Sequence, residues 1–177
     1  KSALDASMPK GFEAHRLVLV DGHFSAGLSD LSGLPEGVSV RSFAEHLRDN
    51  AGVSVKAQEI DDEPGSLAAM NAAFFTDGAY VEIASGAVLD KPLHIICVSS
   101  GAHEDRMTQV RHRYVFGENS QATIVEHAIS LGDKAYFANV VTEAVMGRNA
   151  QLKRVRLQEE SERGYHVSAF FGQQRRD

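Results

Sequence analysis

The sequence predicts a mostly β protein in which a parallel β-solenoid follows a small N-terminal α/β cap. Three observations lead to this fold class. A glycine recurs at intervals of 31, 30 and 25 residues between residues 79 and 172, apolar and polar residues alternate with period two before each glycine, and two repeats share one short motif. Recurrence at this spacing is typical of solenoids, propellers and arrays.

The repeat is aligned on Gly86, Gly117, Gly147 and Gly172. Residues 117–121 and 147–151 share the glycine, an asparagine two positions later, a small residue and a glutamine. Glycine tolerates the backbone conformations that tight turns require. We therefore expect a turn near each Gly-x-Asn, with one strand before it and another after it.

The segment before each glycine predicts strands that stack in parallel. Period-two alternation places one set of side chains inside and the other outside. Equivalent positions in neighbouring coils lie roughly 4.8 Å apart. The outward position four residues before each glycine is occupied by Glu82, Arg113, Glu143 and Ser168. Opposite charges in successive coils favour an outer ladder, which only parallel coils can form.

The strand after each glycine follows the same pattern, so residues 125–127 are expected to lie beside residues 155–157. Glu126 would then face Arg156 on the outer surface as a second pair of opposite charges. His127 falls on the phase that we assign to the interior, as does His112 in the preceding strand. The predicted core is residues 79–177.

Residues 1–78 predict the cap. Residues 1–15 read as a linker or frayed end, and residues 16–20 and 23–25 form a hairpin about the turn signal Asp21-Gly22. Residues 27–37 form an irregular connection, and residues 38–40 form a short strand. The cap is expected to cover the N-terminal edge of the solenoid.

Two helices complete the cap. Ser42 and Glu45 fit a capping box that starts a helix ending near Asn50. After a polar break at residues 59–65, a second helix spans about residues 67–75 and places Leu67, Met70 and Phe74 on one face. The chain starts at Lys1 and stops just after the last repeat glycine. We therefore expect a solenoid truncated at its C-terminal end.

Composition limits the classes of function. The 177 residues carry a formal net charge of −6, which argues against a basic nucleic-acid-binding surface. No stretch approaches the ~20 apolar residues of a membrane span. Cys97 is the single cysteine, so an internal disulfide is excluded and a reducing, cytoplasmic location is favoured.

Three residues are candidates for metal or cluster chemistry. Cys97 lies in a continuous apolar strand and could be a thiolate ligand, but a buried small hydrophobe is the favoured interpretation. His112 and His127, with Glu126 or His94, could suggest a metal site. Interior histidines that hydrogen-bond to neighbouring strands are favoured, because no ligand spacing is satisfied locally. We therefore predict no catalytic, cofactor or resident metal site.

Other sequence features add no site. The acidic run at residues 61–63 lacks the spaced ligands of a calcium loop and is interpreted as a solvated linker. Arg175 and Arg176 read as part of a strand or loop. The chain contains neither a nucleophile elbow nor a phosphate-binding loop. Nucleotide binding and nucleophilic catalysis are therefore not predicted.

Several motifs resemble the SufB/SufD family. Residues 17–24 with 28–30 are similar to its opening motif, and residues 71–78, Gly86, Val88 and residues 91–94 are similar to the start of its core. Residues 122–127 resemble a further core motif. The resemblance implies a right-handed parallel β-helix, and extends from about residue 16 to the end. The head motifs resemble the SufD branch more than the SufB branch.

The resemblance also implies a function. Members of this family are non-catalytic scaffold subunits that pair with a SufB-like paralogue and a SufC-like ATPase to assemble iron–sulfur clusters. The cluster would be held transiently by the parent complex rather than by residues 1–177, and the subunit alone would form a homodimer. The family residues associated with cluster building and ATPase contact lie beyond this sequence, so none is transferred to a position here.

Two other classes of function remain open from the residues alone. Carbohydrate-active β-helix enzymes carry carboxylate or basic clusters on one outer face, whereas the outward positions here alternate in sign. A cupin-like metal-binding protein would require an antiparallel jelly roll, which the predicted parallel charge ladder disfavours. The scaffold is therefore the favoured function.

Overall fold

The computed structural model describes residues 11–50 and 65–176, and most of these residues lie in strands. Within this part of the chain there are two helices, α1 at Phe43–Asp49 and α2 at Ser66–Phe74. The strands, in chain order, are β1 His15–Val20, β2 His23–Phe24, β3 Val38–Ser42, β4 Ala79–Ile83, β5 Leu93–Ser99, β6 Arg106–Phe116, β7 Gln121–Ser130, β8 Tyr136–Met146, β9 Gln151–Glu159 and β10 Gly164–Gln174.

The strands form two sheets that stack as a parallel β-solenoid of about three turns, which confirms the predicted fold class. Sheet A has the order β2-β1-β5-β7-β9, and sheet B has the order β10-β8-β6-β4-β3. All pairings between coil strands are parallel. This pairing is incompatible with the jelly roll of a cupin, in which neighbouring strands run antiparallel.

The predicted hairpin and the short strand of the cap are both present. The hairpin extends sheet A, and the short strand extends sheet B. β1 and β2 pair in an antiparallel sense around Asp21 and Gly22, whose φ angles of 49° and 83° suit a tight hairpin turn. β1 also pairs in parallel with β5, and β3 pairs antiparallel with β4. The cap strands therefore cover the first edge of each sheet, while the boundary at residue 78 stays a prediction.

Asp77 connects the hairpin, α1 and the first coil. Its Oδ1 accepts hydrogen bonds from Ser42 Oγ at 2.8 Å and from the Ala44 amide at 3.0 Å, and its Oδ2 accepts one from the Phe24 amide at 3.0 Å. Ser42 caps α1 by accepting from the Glu45 amide at 3.1 Å. The predicted N-cap is therefore confirmed, and one carboxylate fixes three cap segments relative to each other.

The predicted second helix is present, but it does not pack on the solenoid through the face that carries Leu67 and Phe74. Leu67 and Phe74 are exposed by 41% and 64%, whereas Ala68 and Asn71 are the buried residues of this helix. Asn71 donates from Nδ2 to the carbonyls of Val110 and Asn139, at 2.9 and 3.0 Å. The helix thus packs on sheet B through amide hydrogen bonds, which a count of apolar residues does not detect.

The 30-residue step between the second and third repeats is confirmed. Arg113 lies opposite Glu143, and their Nη1 and Oε2 atoms are 3.0 Å apart. At the following turn Asn149 donates from Nδ2 to Asn119 Oδ1 at 2.9 Å, and both asparagines have positive φ angles. Strand register and turn chemistry agree here, because both repeat at the same interval.

The first repeat is displaced by two residues from the prediction. Glu82 lies opposite Val115 rather than Arg113, so the predicted charge ladder begins only at Arg113. The two glycines also differ in their surroundings. Gly117 packs closely on the backbone of the preceding turn, where a Cβ would lie 2.4 Å from the Ser85 amide nitrogen, whereas a Cβ at Gly86 would meet open space. A displacement of two residues preserves the face of the strand, and Val81 and Ile83 remain in the core.

The fourth repeat is displaced by three residues, and this reverses its faces. Gly172 lies opposite Ala144, and Ser168 lies opposite Val140 rather than Glu143. Shifting a strand by an odd number of residues moves its inward side chains outward. Phe170 therefore enters the interior opposite Thr142. The physical reason is that Gly172 lies within β10 and not at a turn, so it is not equivalent to Gly147.

The solenoid interior is apolar through its first coils. The main buried cluster contains residues from both sheets, among them Leu17, Leu19, Val81, Ile83, Leu93, Ile95, Tyr114, Phe116, Ile124 and Ala144. The predicted inward phase of β6 and β8 is thereby confirmed. The interior becomes polar further along, where β7 and β9 bring Glu126, Arg154 and Arg156 inside.

The acidic run at residues 61–63 lies outside the described residues, as do residues 1–10 of the linker that was predicted at residues 1–15. The last residue of that segment, His15, instead begins β1. Arg175 extends sheet B beyond β10 by donating its amide to the Met146 carbonyl at 3.0 Å. None of the helices in residues 11–50 and 65–176 has the length and apolar character needed to cross a membrane.

Candidate functional site

The structure separates the candidate residues into two groups on opposite sides of sheet A. Cys97 and His112 face the solenoid interior, and their Sγ and Nε2 atoms are 4.0 Å apart. His127 instead contacts His94 on the outer side of the sheet. The predicted inward position of His112 is confirmed, whereas that of His127 is wrong.

Glu126 is also reversed, since it lies inside rather than outside. The predicted alignment of residues 125–127 with residues 155–157 is correct, so the error concerns only the face. Residues 124–129 are all buried, because side chains cover both faces of β7. Period-two alternation alone cannot then identify the interior side.

The interior contacts determine which nitrogen of His112 carries the proton. The amide of Ala79 donates to Nδ1 at 3.0 Å, so Nδ1 must present its lone pair. In the neutral ring Nε2 then carries hydrogen and points it toward Cys97 Sγ. His112 therefore acts as a donor to this sulfur and does not accept a proton from the thiol.

Burial keeps both partners neutral. It raises the pKa of the Cys97 thiol to about 12, an effect that Glu126 and Glu160 reinforce by their negative charge. Burial also lowers the pKa of His112 to about 4. A thiol in this state is a poor nucleophile and a poor metal ligand, because both roles require the thiolate. The pair is therefore not arranged as a cysteine–histidine catalytic dyad.

Glu126 is the most extensively bonded residue of the interior group. Its Oε1 accepts from Tyr114 Oη at 2.9 Å and from Thr142 Oγ1 at 3.3 Å. Arg154 supplies two further hydrogen bonds, from Nε at 2.7 Å and from Nη2 at 2.6 Å. Burial by itself would raise the pKa of Glu126, but hydrogen bonding to Arg154 lowers it below its usual value.

The expected Glu126–Arg156 pair is therefore replaced by Glu126–Arg154. Arg156 belongs to a second polar group, in which it contacts Ser168 and His166 Nε2. His166 Nδ1 lies 2.7 Å from Glu160, which also accepts from Tyr136 Oη at 2.7 Å. This group was missed from the sequence, because Arg156 was assigned to the outer face with Glu126 and the three-residue error in β10 displaced His166 and Ser168.

On the outer side of sheet A, two stacked histidines lead to a carboxylate. His94 Nε2 lies 3.1 Å from His127 Nδ1, and His127 Nε2 lies 3.2 Å from Glu159 Oε2. The two rings are nearly parallel, with centroids 5.3 Å apart. Burial, followed by the charges of His127 and Arg16, lowers the pKa of His94 to about 4.

Neither group forms a metal centre by itself. Within the part of the chain that the structure describes, no three His, Cys, Asp or Glu side chains converge in an arrangement that could hold a metal ion. The hydrogen bonds of the interior group hold β6, β7 and β9 together, and its surroundings keep the Cys97 thiol protonated. The outer group can orient a lone pair and accept hydrogen bonds.

Comparison with known families covers nearly the whole chain. Residues 8–95 match the model of the SufBD protein N-terminal region, and residues 97–177 match the model described as SUF system FeS cluster assembly, SufBD core domain. The two matches meet in the middle of β5. They fit the described architecture, in which cap strands join the first coil of a parallel β-solenoid.

Two curated relatives agree with this match. The chain is 31% identical over 184 residues to an iron–sulfur cluster assembly SufBD family protein of Synechocystis, covering 95% of the chain and 40% of that protein. It is 27% identical over 156 residues to the iron–sulfur cluster assembly protein SufD of Escherichia coli, covering 86% of the chain and 34% of that protein. The chain thus spans less than half the length of either relative, and it belongs to the SufB/SufD family of proteins involved in iron–sulfur cluster assembly.

Proposed function

We propose that the protein is a SufD-like, non-catalytic scaffold subunit of a SufBCD-type complex, acting through protein–protein contacts. Its partners would be a SufB-like paralogue and a SufC-like ATPase, in the cytoplasm. The iron–sulfur cluster would be held transiently by the assembled complex as its product. Without these partners, the subunit would form a homodimer.

The observation that carries this proposal is the state of Cys97, the single cysteine of the sequence. Its thiol faces a histidine that donates toward it, and burial raises the pKa of the thiol to about 12. Cluster assembly needs thiolates that exchange iron and sulfide, and such thiolates have a low pKa. This stretch is therefore better suited to structural support than to holding a nascent cluster.

The strand arrangement supports a role in docking. Among the described residues, β9 and β10 each pair with a single neighbour, β7 and β8 respectively. Sheet edges with free N–H and C=O groups recruit further strands. Parallel coils of a similar protein, or further coils of the same protein, could continue both sheets with the same geometry.

The test uses the full-length protein, co-expressed with the SufB-like and SufC-like proteins of its own organism. We expect all three to co-purify, and we expect Cys97→Ser to leave the cluster content of the reconstituted complex unchanged in its visible absorbance. Failure of both partners to bind would overturn the scaffold role, and loss of the cluster in Cys97→Ser would place cluster ligation on this subunit.

A further inference from the structure

A cavity of about 420 Å³ lies beside the beginnings of β1 and β5. Its lining includes Phe12, Arg16, Asp30, Ser32, Lys91 and His94. Arg16 and His94 are directly opposite each other in the parallel β1–β5 pair. Directly opposed residues project from the same face of a sheet, so a guanidinium and an imidazole stand side by side on the outer face of sheet A.

The hydrogen bonds behind this cavity fix the direction of the His94 ring. Glu159 is an acceptor, so His127 Nε2 carries the hydrogen that it donates to this carboxylate. The neutral His127 ring then presents a lone pair at Nδ1, which accepts from His94 Nε2–H. The remaining nitrogen of His94, Nδ1, is therefore left with a lone pair.

This lone pair has no hydrogen-bond partner within residues 11–50 and 65–176, although His94 is fully buried. Buried polar atoms are nearly always paired in folded proteins. An acceptor that His127 and Glu159 hold in a fixed orientation, and that no group among the described residues uses, indicates a site for a donor from outside those residues.

The charges around the cavity restrict the charge of the ligand that carries this donor. Arg16 and Lys91 contribute positive charge, and Lys91 Nζ also contacts Glu13 at 3.2 Å. Asp30 is occupied by Ser32, which donates from Oγ at 2.7 Å and lowers the pKa of Asp30 by this hydrogen bond. The carboxylates of Glu13 and Asp30 offset part of the positive charge of Arg16 and Lys91, so a ligand with a single negative charge is favoured over one with several.

We propose that this cavity binds a small oxyanion that carries its own hydrogen-bond donor. The donor bonds to His94 Nδ1, and the anionic oxygens bond to Arg16 and Lys91. Short 2-hydroxy carboxylates and dihydrogen phosphate share this chemistry, since each carries one negative charge and at least one O–H donor. The proposal does not depend on the scaffold role, since it rests only on the cavity and the Glu159–His127–His94 chain of hydrogen bonds.

Phe12 controls access to the imidazole. Its ring meets His94 edge-on, with centroids 5.4 Å apart, and the side chain is about one-third exposed. Nδ1 of His94 is itself sealed from solvent, so a ligand reaches it only after a neighbouring side chain moves. We assign that movement to Phe12, which lies at the cavity and is the least enclosed of its aromatic contacts.

The test is a calorimetric titration of the full chain at pH 7 with glycolate, acetate and inorganic phosphate, together with NMR of the histidine ring nitrogens. Glycolate and acetate differ by one hydroxyl group, so they isolate the donor. We expect glycolate or phosphate to bind at least about tenfold more tightly than acetate, and to shift the His94 Nδ1 resonance. The tighter of the two identifies the source of the oxyanion.

Variants separate the roles of the side chains. Lys91→Met should weaken binding several-fold, whereas Lys153→Met, which removes an exposed lysine on β9, should not change it. His94→Phe should abolish the difference between glycolate and acetate. Equal affinity of the wild-type protein for acetate, glycolate and phosphate would overturn the proposal, as would no binding at concentrations on the order of 10 mM. Both of these overturning results come from titrations of the wild-type protein, so they do not depend on whether any variant folds.

Discussion

Arg154 holds Glu126 by two parallel hydrogen bonds inside the solenoid, Nε to Oε1 at 2.7 Å and Nη2 to Oε2 at 2.6 Å. The side chains are only 20% and 9% exposed. Arg154 also lies over the Phe170 ring, 4.7 Å from its centroid. One ion pair therefore connects β7 and β9 of sheet A to β10 of sheet B across the interior.

Removing Arg154 should leave the Glu126 charge buried without its main partner. We expect Arg154→Met to lower the free energy of unfolding by about 3 kcal/mol, because a broken buried pair leaves one charge without compensation. Adding Glu126→Gln to this variant should restore part of the loss. Urea unfolding followed by circular dichroism measures both effects.

Arg148 is the matched control, since its contact with Glu118 at 3.1 Å is about half exposed on both sides. Exposed pairs contribute little, so Arg148→Met should cost less than about 0.5 kcal/mol. Equal losses for Arg148→Met and Arg154→Met would show that the interior position of the pair has no energetic consequence.

Acidic pH should destabilise the protein through His112. Its pKa is lowered from 6.5 to about 4 by burial, so between these values the unfolded chain binds more protons than the folded one. Stability therefore falls as the pH decreases through this window, by up to about 3 kcal/mol for this group. Urea unfolding between pH 7 and pH 4 measures the slope.

His112→Asn should flatten that slope, because an asparagine Oδ1 can still accept from the Ala79 amide but does not titrate. The difference in slope, rather than the absolute stability, is the relevant quantity. His94, whose pKa is also lowered to about 4 by burial, should leave a residual slope in this variant. His23→Gln, at an exposed position of β2, should leave the wild-type slope unchanged, and an unaltered slope in His112→Asn would contradict the assignment.

The thiol of Cys97 should react slowly in the folded protein. Burial raises its pKa from 9.0 to about 12, and alkylation proceeds through the thiolate. At pH 8 we expect iodoacetamide to modify the native thiol at least about a hundredfold more slowly than the urea-unfolded thiol. Mass spectrometry over a time course gives both rates, and similar rates would show that the thiol is accessible and ionised.

Gly78 should tolerate no side chain, because a Cβ there would lie 1.7 Å from the carbonyl oxygen of Arg111. Gly78→Ala must separate the first coil from β6, and we expect a loss of about 3 kcal/mol or more. Gly27→Ala is the control, since a Cβ there would meet open space. Thermal unfolding compares the two variants, and a similar melting temperature would refute the close approach at Gly78.

The fold could be predicted because repeat spacing and strand alternation act together. Where the step is 30 residues, as from Arg113 to Glu143, the predicted neighbours are the observed ones. Where the step between coils differs from 30 residues, the glycine spacing predicts the wrong neighbours. Tyr80 lies opposite Arg113, which is 33 positions later, and Tyr136 lies opposite Gly164, which is 28 positions later. A glycine marks a turn but does not measure the length of the loop between coils.

The candidate site was less predictable, for a different reason. His112 was placed correctly because its neighbours on the same phase of β6 are apolar. Glu126 and His127 were exchanged because both faces of β7 are buried, so neither face shows the polarity that marks a surface. Arg154 inside the solenoid becomes recognisable only when the carboxylate that it neutralises is known to be interior.

The coil spacing has a consequence for how such a chain can change in length. From β6 to β8 and from β7 to β9 the step is the same, as shown by Arg113 opposite Glu143 and Gln121 opposite Gln151. A duplication or deletion of 30 residues in this region would thus leave both sheets in phase. An insertion or deletion of any other length would have to be absorbed in the connections between strands. This part of the molecule can therefore grow or shrink by whole coils while the strand register of both sheets is preserved.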